Sequence, residues 1–261
     1  MTMIAKMMRR TVLMGGAALL GVVAMQPAFA DELEGIKERG VLKIAMTGQY
    51  PPFNFVNESN EVVGFDPAIG AEIAKRMGLE TEIVTTAWDG IIGGLLANKY
   101  DAVVGSMSIT EERDKVIDFV GPYYQTRRAI FTVAGSDITT MEQLDDAVVG
   151  VTLGETNEEW ASAQGYNIKT YKGLPELLLE LTNGRVDVIV NDRIPVILAM
   201  NSGQYDLAEI PDPTAEPLPA GIAIRENNPD LAAAMQKALD DMMEDGTYME
   251  IANEWVGGDI R

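Results

Sequence analysis

Few residues in this chain have chemistry to offer, and they cluster. Ser106-Met107-Ser108-Ile109-Thr110-Glu111-Glu112-Arg113 brings three hydroxyls and an arginine together in a chain with 40 acidic and 20 basic side chains. An arginine fork suits a carboxylate or phosphate, because its planar N–H groups donate in pairs. Ser108-Ile109-Thr110-Glu111 and Thr156-Asn157-Glu158-Glu159 both have the capping-box form S/T-x-x-E. Each predicts a helix N-terminus whose free N–H groups favour an anion, the first leading into a helix that carries Arg113. Asp192 would supply the opposite charge. An anion clamp facing one carboxylate suits a zwitterion such as an α-amino acid, with Tyr50 and Trp88 available to stack on its body or close over its ammonium. Each feature also has a plainer alternative. Capping boxes chiefly cap helices, Arg113 would pair at the surface with Glu111 or Asp114, Tyr50 and Trp88 would be core aromatics, and Asp192 would cap a short helix over Ile194 to Met200.

The elements that must position these groups alternate. Val41 to Met46, Glu82 to Thr85 and Asp101 to Val104 read as strands. Between the first two, Phe65-Asp66-Pro67 opens a helix with Asp66 as N-cap, Ile69, Ile73 and Met77 on one face and Gly78 at its end. A shorter helix spans Asp89 to Asn98. This β-α-β-α-β order implies a parallel sheet. It then recurs, with strands at Val148 to Val151, Asn167 to Tyr171 and Val186 to Val190, and helices at Thr156 to Gln164 and Leu174 to Thr182. The two copies align, Lys99 to Ser106 on Arg185 to Asp192 and Met46 to Tyr50 on Thr152 to Thr156. Two similar α/β lobes follow, rather than one large sheet. Ligands of open α/β sheets bind beyond the carboxyl ends of strands, so the alignment predicts a cleft lined by Thr47 to Tyr50, Ser106 to Ser108, Leu153 to Thr156 and Asn191-Asp192. Chain crossings between lobes are expected near Gln125 to Arg127 and in the proline-rich run Pro211 to Pro219. After them come a strand at Gly221 to Ile224 and helices at Pro229 to Met243 and Thr247 to Trp255.

Composition removes several classes of function. The chain has 261 residues and a net charge of −20, which argues against nucleic acid or an anionic membrane as partner. No Cys or His is present, so thiolate chemistry and the usual general base are absent. Lys6, Arg9 and Arg10 precede an uncharged apolar run from Thr11 to Met25, followed by Gln26-Pro27-Ala28-Phe29-Ala30. That is the pattern of a secretory signal peptide cleaved after Ala30. Its removal takes three positive charges and no acids, leaving 231 residues with a net charge of −23.

Taken in order, Tyr50-Pro51-Pro52-Phe53, Gly64-Phe65-Asp66, Trp88 to Leu95, Tyr100-Asp101-Ala102, Ser106 to Arg113, Asp118-Phe119, Pro122-Tyr123-Tyr124 and Gly246-Thr247-Tyr248 form a specific set. From about Leu33 to Trp255 the chain resembles the extracytoplasmic amino-acid-binding proteins of polar amino-acid ABC importers, solute-binding protein family 3. The resemblance implies the periplasmic-binding-protein type II fold, with residues 31–125 plus 220–261 as lobe 1 and 126–219 as lobe 2. It implies a periplasmic monomer that needs no cofactor or metal and delivers an amino acid to a membrane permease. Arg113 would hold the ligand carboxylate with Ser108 and the backbone around Thr156, Met107 lying between the two serines of that stretch. Asp192 and Ser106 would take the ammonium, and Tyr50 and Trp88 would sandwich the side chain. Relatives that bind basic amino acids commonly carry an acid where Thr47 stands, which weakens a lysine or arginine assignment. Gln49 and Glu155 are the alternative polar contacts. Gly154-Glu155-Thr156-Asn157-Glu158 also resembles a dehydratase branch of the same fold, which places an acid shortly after this aspartate, although Arg193, Ile194 and Pro195 follow Asp192 here and no proton-transfer group is evident. A ligand-presenting sensor module is a third possibility.

Overall fold

A computed structural model of the chain describes residues 32–261. The proposed signal peptide therefore lies outside the described residues. Helix α1 (Leu33–Arg39) leads into β1 (Val41–Met46), and a small antiparallel sheet follows, made of β2 (Gln49–Tyr50), β3 (Asn54–Val56) and β4 (Val62–Val63). Then come α2 (Phe65–Arg76), β5 (Glu80–Thr85), α3 (Ile91–Leu96), β6 (Ala102–Ser108) and the 16-residue strand β7 (Asp118–Val133). The second part holds β8 (Val148–Thr152), α4 (Thr156–Gln164), β9 (Asn167–Tyr171), α5 (Leu174–Thr182), β10 (Val188–Asp192), α6 (Arg193–Asn201) and β11 (Leu207–Ile210). The chain ends with β12 (Pro217–Ile224), α7 (Pro229–Asp245) and α8 (Thr247–Trp255).

The large sheet runs β5-β1-β6-β12-β7-β10-β8-β9, with β11 also on β7. In the first half β1 lies parallel between β5 and β6, and in the second β8 lies parallel between β10 and β9. The centre is antiparallel: β12 pairs with β6 and β7, and β7 with β10 and β11. Both halves are thus hydrogen-bonded into one path through β7, where the alternating pattern implied two separate sheets. Residues 118–127 of β7 face β12 and residues 128–133 face β10 and β11. The two expected crossings are neighbours: Gln125, Thr126 and Arg127 pair with Pro219, Leu218 and Pro217. The first segment lies wholly within β7, and of the second only Pro217 to Pro219 is strand, residues 211–216 forming a loop and turn.

The internal repeat extends to single atoms. Asp101 accepts the Lys43 amide at 2.7 Å, and its aligned counterpart Asp187 accepts the Val148 amide at the same distance. Each carboxylate seats the strand entering β6 or β10 beside its parallel neighbour. The amino ends of these strands are thereby fixed in register in both halves, and the cavity described below lies at their opposite, carboxyl ends.

Two expected caps are not formed. Asp66 is not the N-cap of α2; Gly64 is, at φ +129°, and a Cβ there would lie 2.4 Å from the Phe53 carbonyl oxygen. With the chain turned inward at that glycine, the Asp66 side chain is fully buried. No helix carries Arg113 either. Ser108 ends β6, and Arg113 begins a single 3-10 turn whose first amide donates to Thr110 Oγ1 at 3.3 Å.

Candidate functional site

At the carboxyl ends of β1, β6, β8 and β10 a cavity is lined by Thr47, Gln49, Tyr50, Trp88, Ser106, Ser108, Arg113, Thr156 and Asp192. Glu155, Asn157, Lys172 and Gly173 complete much of the rest of its wall. Seven of the eight residues singled out from the sequence therefore meet there. Met107 does not. Strand alternation turns its side chain to the other face of β6, where it packs with Ile91, Leu95 and Ala223 in the core.

Arg113 is 8% exposed and among the described residues forms no ion pair, so the surface pairing with Glu111 or Asp114 does not occur. Its Nη1 donates to the Ser108 carbonyl at 2.9 Å and its Nη2 reaches the Gly154 carbonyl at 3.5 Å. Its guanidinium stands 5.7 Å from the Trp88 ring centre. Burial pulls its pKa down, opposed by Glu159, Glu155 and Asp192. A buried arginine bonded mainly to neutral carbonyls keeps a demand for an anion, because removing a charge from water is costly until it is matched.

Asp192 stands at the N-cap position of α6, yet its side chain makes no cap bond there. It turns into the cavity, 6% exposed, and accepts the Tyr50 hydroxyl at 2.9 Å and Asn157 Nδ2 at 3.4 Å. Burial raises its pKa against those two hydrogen bonds and Arg113. Tyr50 is thus tied by its hydroxyl across the cavity, while its ring packs on Phe53 at 5.7 Å. Trp88 also spans the cavity, its Nε1 donating to the Gly154 carbonyl at 3.0 Å.

Thr156 is the first residue of α4, but Glu155 occupies the N-cap position and no side-chain cap forms. In place of a capping box, the Glu158 carboxylate accepts the Gly154 amide at 2.6 Å. Glu155 faces the cavity with Asn191 Nδ2 at 3.5 Å, and burial together with Asp192 pushes its carboxyl up to about 8, against Arg113. A proton-holding group therefore exists where none was evident in the sequence. Ser106 holds φ +60° and donates its hydroxyl to Asp66, not toward Asp192.

Lys172 and Gly173 were missed, and the carboxyl-end rule had the means to find them, since β9 runs parallel to β8 and they follow its last residue. Gly173 meets Gln49 so closely that a Cβ would lie 2.8 Å from the Gln49 carbonyl oxygen. Asn157 had no distinguishing signal beyond its place in the turn after β8. Among the described residues no group of three or more acids could hold a metal ion, and no helix is long and apolar enough to cross a membrane.

A mixed sheet of two matching halves, with opposite charges buried at facing strand ends, defines a cleft-type ligand-binding protein. The family of bacterial extracellular solute-binding proteins, family 3, matches residues 42–258, and the chain belongs to it. Its fold is the type II periplasmic binding-protein fold. It is 33% identical over 260 residues to the L-cystine-binding protein TcyJ of Escherichia coli K12, covering 95% of this chain and 97% of that one. To the ABC transporter arginine-binding protein 1 of the same strain it is 31% identical over 219 residues, covering 82% and 90%. A solved structure of the ancestral amino acid-binding protein AncCDT-1, a precursor of cyclohexadienyl dehydratase, superposes with a TM-score of 0.80 at 31% identity, covering 86% of this chain and 99% of that one.

Proposed function

We propose that this protein captures a free L-α-amino acid, or a related zwitterion, between two lobes and delivers it to the permease of an ABC importer. The lobes are residues 31–125 plus 220–261 and residues 126–219, and the compartment is the periplasm, reached through the N-terminal signal peptide. The observation that carries this reading is the pair Arg113 and Asp192: two buried opposite charges that line one cavity, neither in an ion pair among the described residues. An α-carboxylate completes the first and an α-ammonium the second. Beyond them, Thr47, Gln49, Glu155 and Lys172 offer polar contacts, so the ligand side chain is polar or charged. Relatives named for cystine and for arginine agree with that class.

The test is thermal unfolding of the mature protein against a panel of amino acids, with Arg113→Ala in parallel. Ligand at a thousandfold excess over Kd adds about 4 kcal/mol. In a domain of this size that is on the order of 8–16 °C. A shift with a few related amino acids, lost in Arg113→Ala, is the expected result; no shift with any of them overturns the reading.

One observation favours a second reading. Glu155, held largely protonated at neutral pH in the cavity, has the character of a general acid. The likeness to a dehydratase precursor gives that character a context. Conversion of prephenate to phenylpyruvate by the purified protein, abolished by Glu155→Gln, would establish an enzyme; absence of turnover leaves the binding protein.

A further inference from the structure

The Gly64-Phe65-Asp66 stretch has no contact with the cavity itself. Asp66 is nonetheless completely buried, and among the described residues it has no cationic partner. Its carboxylate is met by three neutral donors: Asn54 Nδ2 at 2.6 Å, the Tyr123 hydroxyl at 2.6 Å and the Ser106 hydroxyl at 2.9 Å. Each donor leads to a cavity wall. Asn54 Oδ1 accepts both the Gly48 amide and the Thr47 hydroxyl at 2.9 Å, closing the turn after β1. The Tyr123 oxygen accepts the Ser106 amide at 2.8 Å while its proton goes to Asp66. Ser106 is so held at both its amide and its hydroxyl, in a left-handed conformation that a non-glycine residue rarely takes without support.

We propose that Asp66 is the positioning residue of the ligand site: through Asn54 and Tyr123 it fixes the Thr47–Gly48 turn and Ser106 in the geometry the ligand meets. The inference rests on the cavity being the ligand site. Its physical basis is that a carboxylate is the one side chain of this size that accepts from all three donors without donating in return. An apolar replacement would leave three buried donors unmatched. Burial raises the Asp66 carboxyl to about 6, against its three hydrogen bonds, and a proton there would convert one accepting oxygen into a donor. The titratable groups facing it are Tyr123 and Tyr124, both pushed to higher pKa by burial; the charged groups nearer the ligand are Arg113, Glu155 and Asp192.

The experiment uses the whole mature chain and the amino acid giving the largest thermal shift. Calorimetric titration and amide exchange compare the unaltered protein, Asp66→Asn, and the exchanged pair Asn54→Asp with Asp66→Asn. The exchanged pair inverts one hydrogen bond and preserves the donor and acceptor count. Asp66→Asn is expected to weaken binding at least about tenfold, the equivalent of one misdirected buried hydrogen bond. It should also speed exchange of the Gly48 and Ser106 amides, while β8–β10 amides stay protected. The exchanged pair should recover both. In the unaltered protein affinity should fall as pH drops through about 6, a step absent from Asp66→Asn. Unchanged affinity in a folded Asp66→Asn overturns the proposal, as does faster exchange with unchanged affinity, which would leave Asp66 a purely structural residue. Should no amino acid bind even the unaltered protein, the functional reading falls, and unperturbed Gly48 and Ser106 exchange would remove the network as well.

Discussion

Arg113 and Asp192 are each buried with neutral hydrogen-bond partners, although both lie at the mouths of strands where water was available to them. Burial of an unmatched charge lowers stability until a ligand brings the counter-charge, so part of the binding energy is already stored in the ligand-free protein. Glu155 sharpens the point. Its folded pKa of about 8 lies above the ordinary carboxylate value, so the folded state holds a proton that the unfolded state releases. The stability this group contributes is complete below its unfolded pKa and is lost as pH rises through about 8. Glu155→Gln should therefore match the parent at pH 4 and exceed it at pH 9, by about 2 kcal/mol after allowing for partial solvent screening. Chemical denaturation at the two pH values reads this directly. A constant difference across that range would show that Glu155 does not hold the proton.

At the scale of elements, strand ends and tight turns do the positioning. Gly173, in the turn after β9, lies against Gln49 of β2 in the small sheet, with no room for a side chain. Gly173→Val should hold the halves apart and weaken ligand binding about tenfold or more, while the melting temperature without ligand changes little, because the added methyls point into the cleft and not into a core. Equal affinity in titrations of the two proteins would refute that. Much of this level was legible from sequence. The helices Thr156–Gln164, Leu174–Thr182 and Thr247–Trp255 have the bounds their patterns gave, and the repeat aligned Asp101 with Asp187, which make the same bond. The failures share a cause. The capping-box form around Thr156 and the aspartate after Phe65 have alternative partners that only the fold supplies, Gly154 for Glu158 and the three donors for Asp66. Met107 was assigned by proximity to two serines, and alternation along β6 placed it on the opposite face. The length of β7 was hidden because Gln125 to Arg127 read as a crossing between lobes rather than as the middle of one strand.

For the whole molecule, the shared strand matters most. Because β7 belongs to both halves, and β12 pairs beside it to Arg127, melting either half exposes a strand edge of the other. Calorimetry of the ligand-free protein should accordingly show one transition whose calorimetric and van't Hoff enthalpies agree. Two resolved transitions would mean the halves are independent. Net charge of −20 also sets how the surface behaves: it favours solubility and disfavours contact with anionic partners. The strand order carries a further consequence, for the sequence of events as the chain is made. Strands β8 to β11 and the end of β7 are contiguous, so that half is complete once Ile210 has emerged. The other half lacks its central strand β12, and the helices α7 and α8 that pack on α2, until almost the last residue. A nascent chain emerging from its N-terminus thus finishes its middle before its beginning, and Leu33 to Ser108 must wait, with the apolar edge of β6 uncovered, for the tail to return.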